Sequence, residues 1–139
     1  MVVIMQVAAL DTNIFIYYFQ KHPEFGPFVK PLFESILTNK LKAVTSIIAI
    51  TELLSLKAPQ KDVDKLRTLF LEIPNLRTID VNERIALDAA HIRRSYGFRL
   101  PDSIQLATAQ NAKAEIFITN DKRLNGYKGI QIKMLRELD

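Results

Sequence analysis

The 139-residue chain contains no cysteine. This absence excludes disulfides, zinc–thiolate sites, iron–sulfur clusters and thiol nucleophiles. Histidine is also scarce, because the chain has only two and they do not form a pair at ligand spacing. Zinc is therefore disfavoured, and any metal chemistry must depend on oxygen ligands from the 15 aspartate and glutamate residues.

Long apolar runs, internal repeats, low-complexity tracts and domain linkers are missing as well. The apolar start, residues 2–10, is too short to span a bilayer and lacks the basic flank and cleavage site of a signal peptide. We therefore expect a cytoplasmic protein without a membrane partner. An apolar content of 48% with 24% charged residues is typical of a globular protein, and the length predicts a single domain over residues 1–139.

Charge and hydrophobic pattern narrow the fold class. The net charge of +4 is weak evidence for a nucleic-acid partner, and it gains weight if several carboxylates gather at one site. Apolar periodicity predicts strands at residues 2–10, 41–45, 76–81, 115–119 and 130–134. It predicts helices at residues 14–19, 28–39, 47–56, 61–73, 83–96 and 101–113. This alternation predicts an α/β fold with a parallel sheet covered on both faces by helices.

Four carboxylates interrupt the apolar pattern. Asp11 directly follows the first strand, and Asp121 follows the fourth in the same way. Asp102 lies in the first turn of the helix that Pro101 opens, and Glu52 lies on a helix that is apolar almost all round, so we expect it to be buried. Each has a structural alternative: a helix cap for Asp11, a first-turn acid for Asp102, a turn for Asp121, and a salt bridge or a partly exposed position for Glu52.

These four positions are expected to meet at one edge of the sheet. Strand ends and helix starts of a parallel α/β fold lie together at the carboxyl edge, where such sheets bind ligands. Clustered carboxylates repel one another, so at least one of them should have a raised pKa. A hard divalent cation such as Mg²⁺ or Mn²⁺ is the usual way in which proteins relieve that repulsion.

Four sequence blocks resemble the signature blocks of PIN-domain nucleases, most closely the VapC-type ribonuclease toxins of prokaryotic toxin–antitoxin pairs. The blocks are residues 10–17, 51–53, 99–109 and 118–121, and the resemblance runs from residue 7 to about residue 125. It implies a three-layer α/β/α domain with a central parallel sheet of about five strands. It also implies Mg²⁺- or Mn²⁺-dependent endoribonuclease activity, a homodimer, and an antitoxin protein as partner.

The same resemblance assigns roles to individual residues. The family's acidic positions fall on Asp11, Glu52, Asp102 and Asp121, and two polar positions at the edge of its site fall on Asn13 and Thr119. We assign Asp11 as the central metal ligand, with Asp102 and Asp121 as its partners. Glu52 is either a further ligand or the group that orients the attacking water. The two polar residues are expected to hydrogen-bond a carboxylate or a metal-bound water.

Substrate contacts are predicted beside these acids. Arg99 and Lys122 each lie within three residues of a predicted ligand, which makes them the candidates for binding RNA phosphates. Phe98 and Tyr127 could stack on unpaired bases, whereas core packing is favoured for Tyr17 and Tyr18.

Two other functions stay open. A metal-dependent phosphatase of the haloacid-dehalogenase type also begins with an aspartate after its first strand, but it needs a second acid two residues later, where this chain has Asn13. The non-enzymatic alternative is a catalytically silent PIN-like scaffold that binds RNA or a protein.

Overall fold

The computed structural model describes residues 6–138, so residues 2–5 of the strand predicted at residues 2–10 lie outside the described residues. The described residues form five strands and six α-helices. In chain order these are β1 (Val7–Leu10), α1 (Thr12–Phe19), α2 (Gly26–Leu37), β2 (Lys42–Ser46), α3 (Ile48–Leu54), α4 (Gln60–Leu71), β3 (Leu76–Ile79), α5 (Glu83–Tyr96), α6 (Leu100–Asn111), β4 (Ile116–Thr119) and β5 (Gln131–Met134). Short 3₁₀ helices follow at Lys122–Gly126 and Leu135–Glu137.

The five strands make one sheet in the order β3-β2-β1-β4-β5. All four neighbouring pairs are parallel, as predicted. The chain winds outward from β1 to β2 and β3, and then returns to the other side of β1 with β4 and β5. The winding direction therefore reverses beside β1, and open α/β sheets bind ligands at the carboxyl ends of strands at such a reversal.

Alternation along the central strands separates two hydrophobic cores. Ala8 and Leu10 face the core that α1 to α4 cover, whereas Ala9 faces the core under α5 and α6. In the first core, the ring of Phe15 packs edge-on against Phe33 and Phe70 with centroids 5.8 and 5.1 Å apart. The sheet thus lies between two helical layers, which confirms the three-layer α/β/α fold.

Element boundaries differ from the predicted ones by up to two residues in several helices, of which α2 and α3 are examples. Helix α2 begins at Gly26, two residues before the predicted start, because Pro27 fits in a first turn where its missing N–H costs nothing. Helix α3 ends at Leu54 rather than at residue 56, and the Ser55 hydroxyl donates a hydrogen bond to the Thr51 carbonyl there. The proline predicted to stop α3, Pro59, is instead the residue before α4.

The helix ends that lead to α6 follow the predicted signals closely. Asn82 caps α5 by accepting a hydrogen bond from the Ile85 N–H at 2.9 Å, and Gly97 ends the helix in the left-handed conformation at φ 74°. Pro101 lies in the second position of α6 rather than the first, since the helix begins at Leu100. No helix among residues 6–138 is long and apolar enough to cross a membrane.

Replacing Gly97 by alanine should lower the free energy of unfolding by about 1 kcal/mol, because a side chain at positive φ is strained. A Cβ there would contact nothing within 4 Å, so the backbone conformation alone causes the loss. Gly126→Ala is the matched control, because Gly126 is equally open but does not have a positive φ. Urea denaturation of both variants should show a loss for Gly97→Ala and no loss for the control.

Candidate active site

Asp11 is fixed at the carboxyl end of β1 by the pairing of that strand with β4. The register places Leu10 opposite Ile118, so the next residues, Asp11 and Thr119, lie side by side. The Thr119 hydroxyl donates to Asp11 Oδ2 at 2.7 Å, and the Thr12 N–H donates to Oδ1 at 2.8 Å. Asp11 also holds the N-cap position of α1, but it bonds the first helical N–H rather than the second or third as in a usual cap.

The Asp11 carboxylate is buried without a cation. The residue is only 6% exposed, and it forms no ion pair with any described residue. Burial raises its pKa to about 6, and repulsion from Asp102 and Glu52 adds a smaller increase. A raised pKa in this group of acids was predicted, but its main cause is desolvation rather than the repulsion between carboxylates.

Asp102 and Asp121 both form ion pairs with two arginines, Arg99 and Arg123. Asp102, in the first turn of α6 and 5% exposed, accepts a hydrogen bond from Arg99 Nε at 3.0 Å. Asp121 accepts from Arg123, with 3.0 Å from Nε to Oδ1 and 2.5 Å from Nη2 to Oδ2. The Arg123 guanidinium also lies 3.7 Å from Asp102, so it bridges the two acids. Its hydrogen bonds are the first cause that holds the pKa of Asp121 below its usual value.

The prediction that Glu52 is buried is wrong. Helix α3 is only seven residues long and buries Ala49 and Leu53, which leaves Glu52 exposed on the other side. The side chain nevertheless belongs to the site, because the Thr12 hydroxyl donates to Glu52 Oε1 at 2.7 Å. Water, rather than a buried partner, thus solvates the rest of this carboxylate.

Sequence reasoning missed Gln105, a 1% exposed amide that connects three elements below the acids. Its Oε1 accepts from the Ser46 N–H at the end of β2 at 3.1 Å, and its Nε2 lies 3.3 Å from the Thr45 hydroxyl. The same Nε2 lies 3.4 Å from the Thr12 hydroxyl, which in turn bonds Glu52. A signal was available, since a glutamine three residues after Asp102 lies on the same face of α6.

The pairing of Arg123 with the acids was missed too, although this arginine lies two residues after Asp121. The Asp121 carboxylate accepts the Arg123 N–H at 3.0 Å, and this turn brings the arginine side chain back over the acid. Of the predicted phosphate contacts, Arg99 is already paired with Asp102, whereas Lys122 is exposed and forms no ion pair within residues 6–138.

The predicted aromatic contacts are mostly internal. Tyr18 stacks on Phe33 with centroids 3.9 Å apart, which confirms core packing, and Tyr17 packs against Phe25. Tyr127 is 8% exposed and packs edge-on against two other rings, so its faces are not open to a base. Half-buried Phe98 stacks on the ring of Tyr96.

No three carboxylate or histidine side chains within residues 6–138 are arranged to hold one metal ion. Two of the acids instead face Arg99 and Arg123, and the ligand set Asp11, Asp102 and Asp121 stays a prediction. The donor chemistry nevertheless fits a hard divalent cation. Two guanidinium groups against four carboxylates leave two negative charges uncompensated, and the buried Asn13 Oδ1 has no hydrogen-bond partner among the described residues.

Comparison with known proteins identifies the family. The family model described as PIN domain matches residues 8–130, a range that includes all four acids. The chain belongs to the PIN domain family. This confirms the resemblance of its four sequence blocks. A comparison with curated protein sequences finds no match to this PIN domain.

Several solved structures share the fold of this PIN domain. VapBC2 from Rickettsia felis, bound to a DNA fragment from their promoter, has a TM-score of 0.74 at 19% identity, covering 93% of this chain and 98% of that chain. A toxin–antitoxin complex from Klebsiella pneumoniae has a TM-score of 0.70 at 25% identity, covering 94% and 99%. DNA-bound VapBC from Salmonella typhimurium has a TM-score of 0.73 at 19% identity, covering 94% and 99%.

Asp11→Asn should stabilise the metal-free protein at pH 7.5 by up to about 3 kcal/mol, since each pKa unit is worth about 1.4 kcal/mol. In the folded state the Asp11 carboxyl has a pKa of about 6, whereas the ordinary pKa of an aspartate is 3.8. Between these values the folded state binds more protons, so wild-type stability falls as the pH rises through that range. Asparagine stays neutral and removes this dependence.

Urea denaturation between pH 4 and pH 7.5 measures the effect. Asp88→Asn is the control, because neighbouring donors lower the pKa of Asp88 and its replacement should bring no gain. A metal-free Asp11→Asn variant less stable than wild type at pH 7.5 would show that Asp11 acts mainly as a helix cap.

Proposed function

We propose that this PIN domain is a Mg²⁺- or Mn²⁺-dependent endoribonuclease that hydrolyses RNA phosphodiester bonds and acts as the toxin of a VapBC-type toxin–antitoxin pair. The observation that carries the proposal is Asp11. Its carboxylate is buried at the reversal point of the sheet, is fixed by two donors, and has no ion pair among the described residues. A protein rarely keeps such a carboxylate unless a cation binds there.

Asp11, Asp102 and Asp121 are the residues that would hold the ion. A divalent metal supplies an activated water and stabilises the charge on the phosphoryl oxygens. Thr119 keeps Asp11 oriented, and Asn13 Oδ1, which has no hydrogen-bond partner among the described residues, would accept a hydrogen bond from a metal-bound water. Exposed Glu52, held by Thr12, is better placed to orient an attacking water than to serve as a buried ligand.

Basic side chains beside the acids would bind the substrate. Arg99 and Lys122 lie next to the predicted ligands, and Lys122 is free of ion pairs within the described chain. The chain as a whole carries a net charge of +4, which favours a polyanion.

An apolar groove supports a protein partner. It lies between α1, α3 and α4, has a volume of about 660 Å³ and is lined in part by Phe19, Leu53, Leu56, Leu66 and Leu69. Leu56 and Leu69 are also large exposed apolar side chains, a feature typical of interaction surfaces. We assign the partners as an antitoxin protein and a second copy of this chain, in the cytoplasm.

One observation favours a catalytically silent scaffold instead. Arg99 and Arg123 neutralise two of the four acids, so a protein that merely binds RNA or another protein could keep the site in this state. Cleavage assays distinguish the two functions.

Purified protein should cleave structured RNA in the presence of Mn²⁺ or Mg²⁺, and EDTA should stop the reaction. Asp11→Asn should reduce the rate by more than roughly 100-fold, since removing groups that only orient metal ligands already costs up to that factor. Asp88→Asn removes a carboxylate from the surface of α5 and should leave the rate unchanged. Equal rates in folded Asp11→Asn and wild type would contradict the assignment, and inactivity of the wild type on RNA would favour the scaffold.

RNA binding should weaken steeply as salt increases, because phosphate contacts release counterions. Lys122→Ala should make the slope of log Kd against log salt shallower by about one ion. Lys40→Ala removes an exposed lysine just before β2, at the opposite edge of the sheet, and should leave the slope unchanged. Fluorescence anisotropy with an uncleavable RNA measures both slopes. Identical slopes for the two variants would exclude Lys122 from the binding surface.

A further inference from the structure

We propose that Arg123 is an internal counterion that competes with the divalent metal for Asp121 and Asp102, so that the metal-free site is closed by the chain's own arginine. The inference rests on the metal-dependent function proposed above, and it assigns that site a regulator.

The geometry places Arg123 on the oxygen atoms that a metal would need. Its Nη2 lies 2.5 Å from Asp121 Oδ2 and 3.7 Å from Asp102 Oδ2, and its Nε lies 3.0 Å from Asp121 Oδ1. Both oxygens of Asp121 are therefore occupied by one guanidinium. A metal ion would coordinate the same oxygens, and its positive charge would repel the guanidinium at this distance.

Arg123 is free to leave. Its side chain is 56% exposed, and only the turn after Asp121 holds it over the acids. Moving it into solvent opens no cavity in either hydrophobic core. The two carboxylates are largely buried, but the guanidinium is mostly exposed, so water can solvate it when a divalent cation takes its place.

Arg99 is less suited to this role. It belongs to the start of α6, where it is the N-cap residue and pairs with Asp102 three positions later. Its distance to Asp121 is 3.9 Å, so it only marginally connects the two acids. Arg123 contacts Asp121 closely and also reaches Asp102, so its departure releases Asp121 and leaves Asp102 with Arg99 alone.

Competition has two linked consequences. Arg123 stabilises the metal-free state, and metal binding must break its ion pairs. Removing the arginine therefore makes metal binding tighter and lowers the stability of the metal-free protein. The guanidinium that leaves has all its donors free beside the site, where an RNA phosphate can accept them.

Isothermal titration of the full chain with MnCl₂ at pH 7.5 tests the inference without RNA. Arg123→Gln should bind Mn²⁺ up to about fivefold more tightly than wild type, since an ion pair with an exposed guanidinium is worth up to about 1 kcal/mol. Arg123→Lys keeps the charge but not the bidentate contact, so its affinity for Mn²⁺ should lie between those of wild type and Arg123→Gln. Arg84→Gln is the matched control, because it breaks one Arg–Asp pair of 3.2 Å on α5 and changes the net charge equally.

Thermal unfolding supplies the second readout. Metal-free Arg123→Gln should melt below wild type, and Mn²⁺ should raise its melting temperature by more than it raises that of the wild type. Mn²⁺ binding by Arg123→Gln that is equal to or weaker than that of wild type would overturn the inference. So would an equal gain in Mn²⁺ affinity in Arg84→Gln, or the absence of Mn²⁺ binding in every variant. Neither measurement uses RNA. If Arg123 competes with Mn²⁺ but the protein does not cleave RNA, the ribonuclease proposal is overturned and the present inference is not.

Discussion

The burial of one carboxylate is the constraint on which the site depends. Parallel pairing of β1 with β4 sets Asp11 beside Thr119, under the helix that starts at Thr12, where water cannot solvate it. Two hydrogen bonds hold the carboxylate in place but do not neutralise it. Its pKa therefore rises to about 6. The remaining acids and arginines surround a carboxylate that would be stabilised by a further positive charge. The register between β1 and β4 is what buries this carboxylate.

The arginines give the site two ways to balance its charge. In the metal-free protein Arg99 and Arg123 neutralise Asp102 and Asp121, which lowers the cost of holding several carboxylates together. Asp11 forms no ion pair among the described residues, so its buried carboxylate has no cation in contact with it. This division explains why the acids share one edge of the sheet and still do not form a ready metal cage.

Local sequence signals predicted the features of the fold that depend on neighbouring residues. Apolar periodicity, the cap at Asn82 and the stop at Gly97 fixed the order of strands and helices, and strand ends located Asp11 and Asp121. The exposure of Glu52 could not be read from α3, because an apolar helix at the edge of a sheet buries only the side that meets other elements. The contacts of Arg123 and Gln105 depend on which elements meet in space, and sequence spacing alone does not encode those meetings.

The amide of Gln105 sets a narrow limit on sequence change. One side chain accepts from the β2 backbone and donates towards hydroxyls of β2 and α1, all without contact with water. A glutamate of the same shape would lose the donor and add a buried charge, and a leucine would leave the Ser46 N–H without an acceptor. The position therefore tolerates few residues even though it bears no charge, and natural variation there should be far smaller than at exposed Lys40.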